Sequence, residues 1–254
     1  MRQVPEFRPD PGPQYCLFGN GRVARHFSHY FTQLGLPFWH WKEPRRLDSE
    51  FFRRLPEATH LLLLVSDSAI ERILGDLPSV DGQTRVHFSG ATRVNGAHSA
   101  HPLQTFGSEL YSLDEYRKIH FVLTRGENPV PFADLLPGLP NPNSSILESD
   151  QALYHALCVM AGNFPMILWA EVLARFEALG LTRDAAAPYL ERVLQNSLSA
   201  QGQENLTGPI VRGDWATIDR HLATLENDRL RALYLAFVHF FSKEEDSHDH
   251  RTRV

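Results

Sequence analysis

Cysteine is nearly missing from this chain. Its 254 residues include two, Cys16 and Cys158, both in apolar segments. Two isolated thiols make no disulfide framework, and reduced core positions are their ordinary place. Positive charge is short as well: 25 basic residues against 30 acidic ones leave a net charge of −5. That balance excludes the basic face of a general nucleic-acid binder. Long hydrophobic runs are missing too. Apolar runs such as Leu61 to Val65 are far below the roughly 20 residues that cross a bilayer, and the first dozen residues hold no apolar h-region, so no secretory signal is expected. No cysteine or acidic residue stands at zinc-like spacing from His98 or His101, so no metal is expected. With 43% apolar and 22% charged residues, the composition is that of a soluble globular protein, and a cytoplasmic one is expected.

What is present is organised around Tyr15 to Phe27, YCLFGNGRVARHF. A short apolar strand runs into Gly19-Asn20-Gly21, and a helix pattern begins at Arg22. The spacing is G-x-G-x-x-A, with Ala24 in the third small position. Gly19 permits the strand-to-helix turn, Gly21 lets backbone approach a pyrophosphate, and Ala24 lets the helix pack close on the strand. Amides of Asn20, Arg22 and Val23 at the helix N-terminus would face phosphate oxygens.

Downstream, strand-like and helix-like runs alternate. A helix is expected over Arg22 to Leu34, ended by Gly35. Strands are expected at 37–41, 59–65, 86–89 and 119–124, and a short helix at 131–139. Ser66 ends the third strand, and Asp67 or Ser68 could cap a helix through Leu77. Such alternation predicts an α/β fold with a doubly wound, Rossmann-type parallel sheet whose ligand lies beyond the carboxyl ends of its strands. Glu43 could accept from a ribose 2′-hydroxyl, whereas Lys42, Arg45 and Arg46 could clamp a 2′-phosphate. Three cations against one acid favour NADP, with NAD possible. The expected cofactor set is Gly19, Asn20, Gly21, Arg22, Val23, Lys42, Arg45, Ser66 and Asp67.

After Leu139-Pro140-Asn141-Pro142 the strand pattern stops. Helical patterns follow at 151–179, bent at Pro165, then at 183–199, 215–225 and 228–242. A dinucleotide-binding domain over 1–148 is therefore expected to precede an all-helical substrate and dimerisation domain over 149–254, its polar tail disordered from about 243.

Candidate chemistry gathers at three places. Ser89, His98 and His101 are expected in loops at the carboxyl end of the sheet, where a histidine can act as general acid or base. Tyr154, His155 and Asn163 open the helical domain. An Asn on a buried helix needs a partner for its amide, and a polar substrate could supply it. The segment Leu206 to Asp214 contains Thr207 and Arg212, whose planar fork suits a carboxylate or a surface salt bridge, while Asp214 reads as the N-cap of the helix at Trp215.

Taken in order, GNGRVA, HFSGA, HPLQTF, LYHALCVMAGN and LTGPIVRGD resemble a bacterial family of Rossmann-like proteins with an uncharacterised helical C-terminal domain, of the 6-phosphogluconate-dehydrogenase-like superfamily. The likeness runs from about Gln14 to Phe241. It implies NAD(P) binding by the first domain and a helical domain like those of pyrroline-5-carboxylate and ketopantoate reductases, often used to form homodimers. It also implies a small 2-keto acid as substrate, by the likeness to ketopantoate reductases. The HP turn resembles that of prephenate dehydrogenases, whose Ser and His contact the reacting hydroxyl; those roles would fall on Ser89 and His101. One departure stands out. Ketopantoate reductases carry a catalytic lysine on the first helix of the second domain, and the lysines here are Lys42, Lys118 and Lys243. The proton donor is then expected to be His101, or His155 in its place, with Asn163 donating to the same oxygen and Arg212 and Thr207 holding the substrate. An imine reductase, whose iminium substrate needs no strong acid, and a non-catalytic NADP-binding protein are the alternatives.

Overall fold

The computed structural model describes residues 12–126, 128–199 and 204–249, with side chains through 242. Its strands are β1 (Tyr15–Phe18), β2 (Phe38–Trp41), β3 (His60–Leu63), β4 (Thr84–His87), β5 (His98–Pro102), β6 (Phe121–Arg125) and β7 (Asn143–Leu147). Its helices are α1 (Arg22–Leu34), α2 (Ser49–Arg54), α3 (Asp67–Asp76), α4 (Leu113–Lys118), α5 (Phe132–Leu135), α6 (Gln151–Cys158), α7 (Phe164–Ala178), α8 (Arg183–Ser197), α9 (Trp215–Thr224) and α10 (Leu230–Asp249). The chain divides into two compact units, residues 1–169 and 170–254.

In the first unit seven strands form one sheet in the order β2-β1-β3-β4-β5-β6-β7. β1 sits between β2 and β3, so the chain leaves it to one side and returns to the other. That reversal is the topological switch point where this class of sheet opens a crevice. Alternation along the strands divides the core. Tyr15, Leu17 and Leu62 face α1 with Phe27 and Phe31, whereas Cys16, Phe18, Leu61 and Leu63 face Phe51, Ile70 and Ile73. Both faces are covered, which is why β1 and β3 read as continuous apolar runs.

Helix α1 has the expected limits. Ala24, Phe27, Tyr30 and Phe31 bury one stripe, and Gly35 ends the helix at φ 68°, its N–H donating to the Phe31 and Thr32 carbonyls. Asn141 then ties α1 to the far side of the sheet. Its side-chain oxygen accepts from Tyr30 (2.8 Å), and its amide donates to the carbonyls of Tyr116 (2.8 Å) and Ile119 (2.9 Å).

The sheet departs from the expectation in three ways. It is mainly rather than wholly parallel, because β6 runs antiparallel to β5 and β7 is parallel to β6. His98 and His101 lie on strand β5, not in loops. β7 and the short helices α2 and α4 were also unforeseen. HSAHP and NSSIL carry too few apolar residues to read as strands; β5 is held by ladders on both sides, and β7 is an exposed edge. At α3, Ser66 occupies the N-cap without a side-chain bond, and Asp67 falls in the first turn rather than capping it.

The helical run expected over 151–179 is broken at a π-helical turn, Val159–Asn163, directly before Pro165. Proline has no N–H for the carbonyl four residues back and its ring crowds that carbonyl, so the backbone widens there. Within Glu148–Ala178 an 18-residue window reaches a mean hydropathy of 1.6, which by length and composition alone would suit a membrane span. The beginning of that stretch is nonetheless docked on the sheet unit through polar groups: the Gln151 amide donates to the Thr92 carbonyl (3.2 Å).

The second unit holds helices joined by turns, with no strand among its described residues. Asp214 caps α9 by accepting from the Thr217 N–H (3.2 Å), as expected. Arg175 joins Glu171 (2.8 Å) and Asp228 (2.7 Å). Helix α10 begins at Leu230, whose N–H donates to the Asp228 carboxylate, and runs past Ser242 to Asp249. Of the tail expected to be disordered, residues 250–254 lie outside the described residues.

Candidate functional site

The glycine turn is fixed by steric necessity. Gly19 has φ 142°, and a Cβ there would stand 2.1 Å from the Leu64 carbonyl oxygen, so only glycine passes. Its N–H donates to the Trp41 carbonyl (2.9 Å). His40 Nε2–H donates to the Gly19 carbonyl (2.7 Å), and burial lowers the His40 pKa, keeping it neutral for that bond. Gly21 is the N-cap of α1, with no side-chain cap and no acidic residue in the first turn. A Cβ on Gly21 would meet nothing within 4 Å. The first amides of α1 therefore open onto space, as an anion-binding N-terminus requires.

That space is a cavity of about 680 Å³. It brings together Asn20, Gly21, Arg22, Val23, Arg45, Ser66, Asp67 and Ser89 from the expected residues, and adds Arg72 and Phe88. A second hollow of about 550 Å³ on the other flank of the turn shares Asn20, Gly21 and Arg22 and is bordered by Lys42 and His40. Lys42 and Arg45 thus flank the turn from two hollows. Glu43 engages Arg46 at 3.8 Å, and Arg46 also reaches Asp48 at 3.9 Å.

Gly90 follows Ser89 in the chain, and a Cβ there would lie 3.0 Å from the rings of both His101 and His155. Gly90 lets backbone lie against two imidazoles at once. His101 Nδ1 and the Tyr154 hydroxyl are 2.7 Å apart, and the rings of His101 and His155 are centred 6.2 Å apart. Burial, helped by the His155 charge and opposed by Asp67, pushes the His101 pKa down to about 4. At neutral pH the imidazole is uncharged. Tyr154 moves the other way: burial first, then the neighbouring Cys158 thiol, raise its pKa and keep the phenol protonated.

Ser89 does not orient His101. Its hydroxyl accepts from the N–H groups of Ala91 (3.2 Å) and Thr92 (3.0 Å), shaping its own turn. Tyr154 is the partner instead; sequence reading placed it beside His155 without giving it a role. Gly90 and His40 were not recognised either, since what they do depends on contacts remote in sequence. His98, three residues before His101 on the same strand, projects from the opposite face, and borders another hollow with the buried His87. Asn163 is exposed on the π-helical turn, so its amide is not the buried group expected. In the second unit, Thr207 and Arg212 are exposed in the turn leading to α9.

No curated protein sequence matches the chain. Residues 132–239 match the family model described as Domain of unknown function (DUF2520). An 18% identical structure from Bacteroides fragilis, assigned as an NADP oxidoreductase, superposes with a TM-score of 0.72 over 91% of this chain and 98% of that one. The imine reductase of Streptomyces aurantiacus is 15% identical, with a TM-score of 0.60 over 92% of this chain and 95% of that one. Pyrroline carboxylate reductase of Plasmodium falciparum, with NADP bound, is 11% identical, with a TM-score of 0.56 over 93% and 99%. The fold these likenesses share with the chain is the one its own topology shows: a Rossmann-like α/β unit followed by helices.

Proposed function

We propose that this protein is an NADP-dependent reductase of imines. The observation that carries the substrate half of this reading is the neutral, half-buried His101 paired with Tyr154. A ketone reduced by hydride leaves an alkoxide that needs a proton, and an imidazole with a pKa near 4 is uncharged at neutral pH, hence a poor donor. A protonated imine needs none: its carbon takes the hydride, its nitrogen keeps the proton it brought and regains its lone pair. Asp67, which lines the same cavity as Ser89, acts on His101 as an opposing acidic group, and an acid there favours a cationic substrate. The solved imine and pyrroline carboxylate reductases of similar fold support the same reading.

The residues present fit the dinucleotide. When bound, it supplies the hydride. The open amides at Gly21, Arg22 and Val23 would take the diphosphate, with Asn20, Ser66 and Asp67 at the rim. Arg45 and Lys42 would hold a 2′-phosphate, while Glu43, which could have read a 2′-hydroxyl, is engaged by Arg46. NAD remains the weaker ligand on this reading. The domain assignment, 1–148 for dinucleotide binding and 149–254 for substrate and dimerisation, and a cytoplasmic setting belong to it.

The 2-keto acid reading comes second. It would keep Ser89, His101, His155 and Asn163 as the catalytic group and Thr207 and Arg212 as carboxylate ligands, the proton coming from the neutral His101. NADPH oxidation by purified protein against matched cyclic imines and 2-keto acids, ketopantoate included, separates the two. Turnover of imines alone is expected; turnover of keto acids alone overturns the first reading, and NADPH binding without any turnover would leave a cofactor-binding protein.

A homodimer is part of the proposal. Leu153, Leu157, Met160, Phe164 and Ile167 are exposed at alternating spacings of four and three, the seam of a helix that packs on another helix. A second copy would cover it. Light scattering should give twice the chain mass, and Met160→Glu with Ile167→Glu should give one; a wild-type monomer at micromolar concentration would remove the claim.

A further inference from the structure

Strands β4, β5 and β6 carry a row of polar side chains across one face of the sheet. His87 pairs with Ser99 across β4 and β5. Thr124 follows Leu123, the partner of Ala100, and so stands next in line on β6. Residues opposite one another in a ladder share a face. All three line a hollow of about 410 Å³, which shares no lining residue with the cavity at the glycine turn. Ser99 donates to the Ser89 carbonyl (3.2 Å), which leaves its oxygen able to accept. His87 is 1% exposed, and among the described residues nothing bonds its Nδ1. A buried imidazole nitrogen without a partner is costly, and one in the lining of a hollow points to a ligand as the partner.

We infer that this hollow binds a small neutral polyhydroxylated molecule, a monosaccharide or an open-chain polyol, whose hydroxyls bond Thr124, Ser99 and the His87 imidazole. Charge makes the choice. Arg93 and Glu148 both line the hollow and pair with each other. Neither an anion nor an ammonium therefore finds an unpaired opposite charge among the described lining residues. Imidazole and hydroxyl each donate and accept, the same double capacity that a sugar hydroxyl has. Val94 and Ala97 supply an apolar patch for the C–H face of such a ligand. Strands about 4.8 Å apart spread the row over about 10 Å, a distance that the outer hydroxyls of a hexose or hexitol can bridge. The volume also falls within the roughly 300–1,000 Å³ of small-molecule sites.

Histidine-ring NMR of the full-length protein tests this, with a His87→Gln variant to identify the resonance. The probes are matched: D-glucose and D-sorbitol are neutral, D-gluconate is anionic and D-glucosamine cationic. Glucose or sorbitol should shift the His87 signal with a Kd in the millimolar range or tighter, at least about tenfold below those of the charged probes. Whichever neutral probe binds better tells ring from open chain. Thr124→Val keeps the branched side chain and loses the hydroxyl, so that Kd should rise about tenfold with the thermal melt nearly unchanged. Wild type alone decides the main claim. No His87 shift at about 100 mM of either neutral probe, far above a millimolar Kd, overturns it, as does tighter binding of a charged one. An unchanged Kd in a folded Thr124→Val removes the assigned contacts. None of these readouts involves catalysis, so the site stands or falls apart from the proposed reductase activity.

Discussion

Acid should unfold this protein through its buried histidines, and the size of the effect follows from two of them. Burial pushes both His87 and His101 down to about 4 from the ordinary 6.5. The folded pKa lies below the unfolded one, so between pH 6.5 and 4 the unfolded chain binds more protons, and stability falls as pH falls through that window. Each shift of about 2.5 pH units corresponds to about 3 kcal/mol at most, somewhat less for His101, whose ring is only half-buried. Near pH 5 the pair should give a slope of at most about 2.4 kcal/mol per pH unit. Their sum is comparable to a whole domain's stability of roughly 5–15 kcal/mol. His26, His40, His60 and His98 are lowered by burial too and act with the same sign. Urea midpoints at pH 7.5, 6.5, 5.5 and 4.5 measure this directly. His87→Asn should remove about 1.2 kcal/mol per pH unit of that slope near pH 5. A stability flat across the window, or a His87→Asn slope equal to wild type, would refute the account of these imidazoles as buried and neutral.

Gly19→Ala must push a Cβ through the Leu64 carbonyl at positive φ, so a loss of about 3 kcal/mol or more in a thermal melt and no detectable NADPH binding are expected. Asn141→Leu removes the partner of the Tyr30 hydroxyl and of the Ile119 carbonyl, and one of two donors to the Tyr116 carbonyl; urea unfolding should show about 3 kcal/mol lost. Gly90→Ala touches both imidazoles at 3.0 Å, and imine kcat/KM should drop about tenfold or more, with the melting temperature nearly unchanged. Lys42→Ser combined with Arg45→Ser should raise the Kd for NADPH about tenfold or more while leaving NADH within a few-fold, as isothermal titration would show.

Much of the first unit, and one helix cap in the second, could be read from residue order alone, because these signals are local. The G-x-G-x-x-A spacing, the limits of α1 and its Gly35 stop, the continuous runs of β1 and β3 and the Asp214 cap each depend on residues within a turn or two. Strand β5 could not be read that way. HSAHP has little apolar content, and it becomes a strand because β4 and β6 offer ladders on both sides.

The site divides in the same manner. Sequence by itself determined that a glycine turn opens a helix toward an anion, that cations follow β2, and that His101 and His155 stand near the ends of elements. Tertiary structure decided that Tyr154 rather than Ser89 meets His101, that Gly90 lies against both imidazoles, and that His101 is buried enough to stay uncharged. The physical reason is one of range. Turn geometry and helix caps are settled by neighbours in the chain, whereas a pKa and a hydrogen-bond partner are settled by whatever the fold brings within a few ångströms.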